Sequence, residues 1–245
     1  INSLGAKNIY KNNGGTIGAV ASGDLLANYI YDMAYDGTQF LVLGGTASGS
    51  GGVVIVRNVY TSGATWTKPA NLLYVEVEGI GGGAGGGKTT TSGRCGGGGG
   101  AGGYARKLIA AASLGSTETV TIGAGGNGST PTAGGTTSFG SHISCTGGAV
   151  GQSNTTTLAT GGAGGTGSGG DVNLDGQPGN NGINSGGVIW GGRGGSSHFG
   201  AGGQEKTSDA VGNAASNYGA GGSGTFTNAG NSNNGGAGSA GIVIV

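Results

Sequence analysis

A chain of 245 residues with ten basic and ten acidic side chains carries no formal net charge, and only 8% of its residues are charged. That balance argues against nucleic-acid binding, and the lack of any apolar run of about 18 residues excludes a transmembrane helix. From Gly79 onward one residue in three is glycine, 55 of the chain's 67, yet three prolines and no strict Gly-X-Y period exclude collagen.

The first 58 residues have ordinary composition. Tyr29–Tyr35 alternates, with Tyr29, Tyr31, Met33 and Tyr35 on one face, and Asp36-Gly37 separates it from a second run, Thr38–Leu43. Two such runs around Asp-Gly predict a hairpin, because both central turn residues favour positive φ. Asp24–Ile30 is the one segment compatible with a short helix, with Asp24 as N-cap. Gly44–Gly52 reads as a flexible link. Strands are predicted near 53–59, 72–78 (Val75 and Val77 sharing a face), 118–122 and 242–245, the last a continuous apolar run of the doubly buried kind. These four are expected to form one sheet closing the glycine region. Trp66 and Tyr74 lie by these strands and suit core packing, and Phe139 suits a plug between the sheet and a glycine layer.

The glycines come in bursts, Gly81–Gly87, Gly96–Gly103, Gly123–Gly128, Gly161–Gly170 and Gly219–Gly224, separated by polar connectors. Ordering glycine costs more backbone entropy than ordering any other residue. With few large side chains, that cost is offset by close backbone-to-backbone pairing, which the missing Cβ atoms allow. The chain begins at Ile1 rather than Met and reads as a piece of a longer protein.

YTSGATWTKPANLLYVEVEGIGGGAGGG (60–87) resembles the opening of the glycine-rich receptor-binding domain at the tips of bacteriophage tail fibres. GGGGGAGGYARKLI (96–109), TVTIGAGGNG (119–128), GGTTSFGSHISCTGG (134–148), GGAGGTGSGGDVNLDGQPGNNG (161–182) and GSAGIVIV (238–245) match that pattern in order. Residues 9–45 are similar to the end of a tail-fibre shaft. The resemblance implies a mostly irregular/β chain: a shaft-end β domain and linker over 1–52, then a receptor-binding head over 53–245. The head would be a layered bundle of glycine-rich polyproline-II-type helices capped by a small β-sheet. It further implies a virion protein made in the host cytoplasm, a homotrimer with the rest of the fibre, and a bacterial surface receptor, protein or polysaccharide, as partner. No nucleic acid, membrane insertion, cofactor or metal enters that picture.

Motifs with a chemical reading are few. Gly82 to Gly87-Lys88-Thr89 has the spacing of a phosphate-binding loop, but the TTTSGRCGGGGG that closes it cannot be the required helix. Asp171 and Asp175 hint at a calcium repeat, but one candidate with two carboxylates supplies too few ligands, and turn formation is the simpler reading. Cys95 and Cys145 permit one bridge without demanding it, and two free thiols are the default in a reducing cytosol. His142 and His198 sit near no nucleophile or carboxylate pair, so no catalytic constellation is expected. Trp190, Arg193, His198, Phe199, Tyr218 and Phe226 lie in connectors between glycine bursts. Connector aromatics either cap the scaffold edge or project outward as a binding rim, and 183–199 and 204–218 are the candidate receptor contacts. The other functions the composition permits are an ice-binding protein, which needs a stricter three-residue repeat, and a structural surface or matrix protein.

Overall fold

The structure is a computed structural model that describes residues 9–13, 16–19, 33–35, 40–42 and 56–245. The chain divides into two compact units, Ile1–Val56 and Arg57–Val245. In the first, β1 (Ile9–Asn13), β2 (Thr16–Ala19), β3 (Met33–Tyr35) and β4 (Phe40–Val42) form one sheet in the order β2-β1-β4-β3. The expected hairpin is present as the antiparallel pair β3–β4, with Tyr35 opposite Phe40. The Asp36-Gly37 turn itself lies outside the described residues. The helix expected at 24–30 and the link at 44–52 lie outside the described residues.

The second unit holds β5 (Val59–Tyr60), β6 (Ala64–Thr67), β7 (Tyr74–Ile80), β8 (Arg94–Cys95), β9 (Tyr104–Ala110), β10 (Thr117–Thr121), β11 (Thr137–Phe139) and β12 (Ile143–Cys145). It continues with β13 (Leu158–Ala159), β14 (Gly167–Ser168), β15 (Val172–Leu174), β16 (Gly182–Ser185), β17 (Val188–Trp190), β18 (Phe226–Thr227) and β19 (Ile242–Ile244). Two five-stranded sheets, β15-β9-β7-β19-β5 and β14-β12-β11-β10-β6, are joined by a three-stranded sheet, β13-β16-β17, and a two-stranded one, β18-β8.

This corrects the expected fold class. The described residues form several sheets, antiparallel except for the β1–β4 pair, with no α-helix and a single 3-10 turn at Ala111–Ser113, not a bundle of polyproline-II-type helices under one small sheet. The physical reason lies in the residues between the bursts. Tyr74–Ile80 and Tyr104–Ala110 pair along seven residues each, and their alternate side chains, Val75, Val77, Ala105 and Ile109, are buried. They pack against Trp66, Val120, Phe139, Ile143 and Cys145 of the second large sheet. A side-chain core between sheets is therefore available, and it organises the layers. Phe139 is fully buried in it, edge-on to Trp66 at 5.5 Å between ring centroids. The single closing sheet is corrected too: β7, β19 and β5 share a sheet, but the 117–121 strand belongs to the facing one.

The glycine bursts connect these strands and are tied to one another through their backbones. Along Gly96–Gly103, successive N–H groups turn to three neighbours in rotation. Gly97, Gly100 and Gly103 donate to the carbonyls of Gln152, Ala149 and Thr146. Gly98 and Ala101 donate to those of Asn180 and Gln177. Gly96, Gly99 and Gly102 donate to those of Thr225, Gly222 and Gly219, and all eight bonds measure 2.7–3.0 Å. Buried donors without side-chain cover must find such partners. A Cβ on Gly98 would sit 1.9 Å from the Arg193 carbonyl oxygen, so the approach that permits this pairing requires glycine.

The two cysteines lie in separate clusters and are both free and buried. The Cys145 thiol donates to the Gly79 carbonyl at 3.2 Å, and burial pushes its pKa up to about 12. After Gly87 the chain makes a bridge between Thr89 and Asn233 instead of a helix, so the phosphate-loop spacing lacks its helical context.

Candidate functional site

The three-stranded sheet is built from one local signal. Ser185 pairs with Val188 across Gly186 and Gly187, whose φ values are 58° and 85°. A two-residue turn with positive φ at both positions matches the twist of a hairpin, and Gly-Gly meets it without strain. The register then places Leu158 opposite Ile183 and Ile183 opposite Trp190. Residues opposite one another project on the same face of a sheet.

That face is open. Leu158 is 48% exposed, Ile183 42%, Val188 53% and Trp190 50%. The opposite face is closed: Ala159 and Ile189 pack on Cys95 and Phe226, and the Asn184 amide donates to the Gly93 carbonyl at 2.8 Å. A contiguous apolar row across three strands, held from beneath by a small core, is the kind of patch that marks an interaction site.

The sequence-predicted site residues do not gather in one place. Trp190 ends the exposed row. His198, Phe199 and Tyr218 gather instead around Tyr104: the His198 ring lies 4.4 Å from the Tyr104 ring, and Phe199 stands edge-on to Tyr104 at 6.2 Å. Phe199 and Tyr218 are half-buried against Ile80, Tyr104 and Ile242, so these two cap the outer face of the β7–β9–β19 sheet, whereas His198 is exposed. Phe226 is only 3% exposed. It supports the apolar row from below and presents no surface of its own, which corrects its place among the contact residues. Arg193 is partly buried, and its Nε has no hydrogen-bond partner among the described residues.

Ile183 and Val188 lie in the 183–199 connector expected to meet a receptor, though it does not single them out, and Leu158 lies outside it. The alternation Ile183, Ser185, Gly-Gly, Val188, Trp190 is a hairpin signal and identifies the first two. Leu158 has no such signal, because its partner is 25 residues away. The 204–218 connector is fixed by Asp209, whose carboxylate accepts from the backbone N–H groups of Asn228 and Ala229 and from the Asn233 amide and Thr227 hydroxyl. Those bonds, the one from Asn228 foremost, lower its pKa from the ordinary value against an opposing effect of burial. No group of three or more His, Cys, Asp or Glu suited to a metal ion occurs among the described residues, and none of their helices is long and apolar enough to cross a membrane.

The fold and site thus define a glycine-rich β domain whose connectors carry an exposed apolar row. Residues 58–245 match the family model of the glycine-rich domain, and the chain belongs to that family. No curated protein matches the chain.

Proposed function

We propose that this chain is the distal adhesin of a phage tail fibre, attaching to a receptor on the bacterial surface, an outer-membrane protein or a surface polysaccharide. The observation that carries the reading is the Leu158–Ile183–Trp190 row, an apolar surface on a hairpin that a soluble protein would otherwise cover. The ordered resemblance of residues 60–245 to glycine-rich fibre tips supports it. The mechanism is attachment by surface burial: Trp190 supplies a rigid aromatic anchor, and Ile183, Leu158 and Val188 exclude water around it. The glycine segments hold the hairpin through their own backbones, so connector side chains are free to differ without cost to the scaffold. In the virion the chain acts as a homotrimer with the remainder of its fibre.

The test is binding of fluorescently labelled protein to a panel of Gram-negative strains. Saturable binding to a narrow subset is expected, and both Trp190→Ala and Ile183→Ser should weaken it roughly tenfold or more, the scale of a hot-spot loss. Unchanged binding by both variants would remove the row from the contact, and thermal hysteresis in place of cell binding would favour an ice-binding function.

A further inference from the structure

A second feature lies apart from the apolar row, on the large β15-β9-β7-β19-β5 sheet. At the end of β15 a solvent-open cleft of about 200 Å³ is bounded on one side by Leu174, Asp175 and Gln177 and on the other by Ser196 and His198, with Gly102 and Tyr104 at its base. The walls are set by pairing. Leu174 lies opposite Tyr104 in the sheet, and the Gln177 N–H donates to the Ser196 carbonyl across the cleft at 3.3 Å. The 196–199 wall is pinned in turn: Ser196 Oγ accepts from the Gly202 N–H at 3.2 Å, and Ser197 Oγ donates to the Tyr218 carbonyl at 2.5 Å while accepting from the Phe199 N–H at 3.2 Å.

The chemistry of the lining is mixed in a specific way. The His198 ring covers the buried Tyr104 ring at 4.4 Å with a 30° tilt, and Leu174 is 45% exposed, so His198 and Leu174 give apolar surface on two sides. The Asp175 carboxylate, the Gln177 amide and the His198 ring make no side-chain hydrogen bond to another described residue, so their polar atoms face solvent. No Lys or Arg lines the cleft. Arg106, the basic residue next along β9 on the same face, is engaged by Glu76 and Glu78.

We infer that this cleft is a binding subsite for a single neutral sugar ring. A sugar presents apolar C–H faces and a rim of hydroxyls. The faces suit the Leu174 side chain and the His198 ring that Tyr104 backs, and the hydroxyls suit a carboxylate that accepts, an amide that does both, and an imidazole. The volume lies below the range for drug-sized ligands and fits one ring, with the chain on either side left in solvent. An acidic sugar or a phosphate is disfavoured, because its charge would meet Asp175 with no cation to offset it. The biological setting, a surface glycan, rests on the adhesin reading, but saccharide binding itself is measurable without cells.

The experiment is ¹⁵N-edited NMR titration of the 245-residue chain with the methyl glycosides of glucose, galactose, mannose and N-acetylglucosamine, and with sialic acid. At least one neutral glycoside should shift the amides of 174–177 and 196–198 saturably, with a dissociation constant on the order of 1 mM, as befits one exposed ring. Asp175→Ala and His198→Ala should each weaken it by at least fivefold, while Trp190→Ala leaves it unchanged. No saturable shift with any neutral glycoside overturns the inference, as does tighter binding of sialic acid or binding that both cleft variants retain. The adhesin reading fails separately, through loss of strain-selective cell binding in the unsubstituted chain.

Discussion

At the scale of the residue, the scaffold is governed by where a Cβ can go. Gly98 and Gly63 are chemically identical, yet the Cβ on Gly98 would stand 1.9 Å from the Arg193 carbonyl oxygen and 2.4 Å from its carbon, whereas at Gly63 the nearest atom is 3.7 Å away. The obstacle at Gly98 is backbone already bonded to Asn180, so it cannot swing aside as a side chain would. Gly98→Ala is expected to destabilise the second unit by about 3 kcal/mol, the upper part of the overpacking range. Gly63→Ala should fall within about 0.5 kcal/mol of the parent. Urea denaturation of the two variants side by side measures the difference, and equal midpoints would mean that the glycine segments are looser than their hydrogen bonds imply. A composition count assigns these two glycines the same weight. Only their neighbours in space separate them, and the one that decides, Arg193, lies 95 residues from Gly98 in sequence.

At the scale of the element, what the residues disclose depends on whether a strand's pattern is local. Val75 and Val77 alternate with Tyr74, Glu76 and Glu78, and the predicted strand is present with those two valines buried. The closing Ile242–Ile244 strand is equally legible, since an apolar run has few other places to go. Tyr104–Ala110 is not legible as a strand because Arg106 and Lys107 stand side by side in it, hiding the buried alternation of Ala105 and Ile109. The strand expected at 118–122 is present as Thr117–Thr121 but in the facing sheet, because its pattern specifies a buried face and says nothing of which sheet supplies the partner. In the candidate site Trp190 was recognisable as a connector aromatic, while Phe226, equally aromatic and in an equally polar connector, is core. The turn beneath Trp190 can be tested directly. Gly187, at φ 85°, has nothing within 4 Å of a Cβ, so Gly187→Ala has room and meets only backbone strain, about 1–3 kcal/mol. The hairpin should fray locally, seen as faster amide exchange over Ser185–Ile189, with the exchange of β7 and β9 unaltered. Protection unchanged at Ser185–Ile189 would show that the turn does not govern the pairing.

At the scale of the whole second unit, the division between what holds the fold and what meets a partner becomes measurable at two aromatics on opposite sides of one sheet. Trp190 is 50% exposed on the open face, and Phe226 is 3% exposed beneath it among Cys95, Ala159 and Ile189. Removing the Trp190 ring costs the cross-strand contact with Ile183, about 0.2–1 kcal/mol. Removing the Phe226 ring empties a packed site, about 3–5 kcal/mol. For a unit of this size each kcal/mol moves Tm by roughly 2–4 °C. Trp190→Ala should therefore lower Tm by no more than about 4 °C and Phe226→Ala by about 6 °C or more, read by calorimetry. Cell binding should respond differently: Trp190→Ala loses it at temperatures where the protein is fully folded, whereas Phe226→Ala loses it only as far as the row above is disordered. If Phe226→Ala abolishes binding while Trp190→Ala spares it, the partner reads some other surface. If both spare it, attachment does not pass through this sheet. The separation is expected because the support of the hairpin runs through glycine backbones and a small buried cluster, neither of which includes the outward side chains, so the surface can be exchanged while the pairing that carries it stays in place.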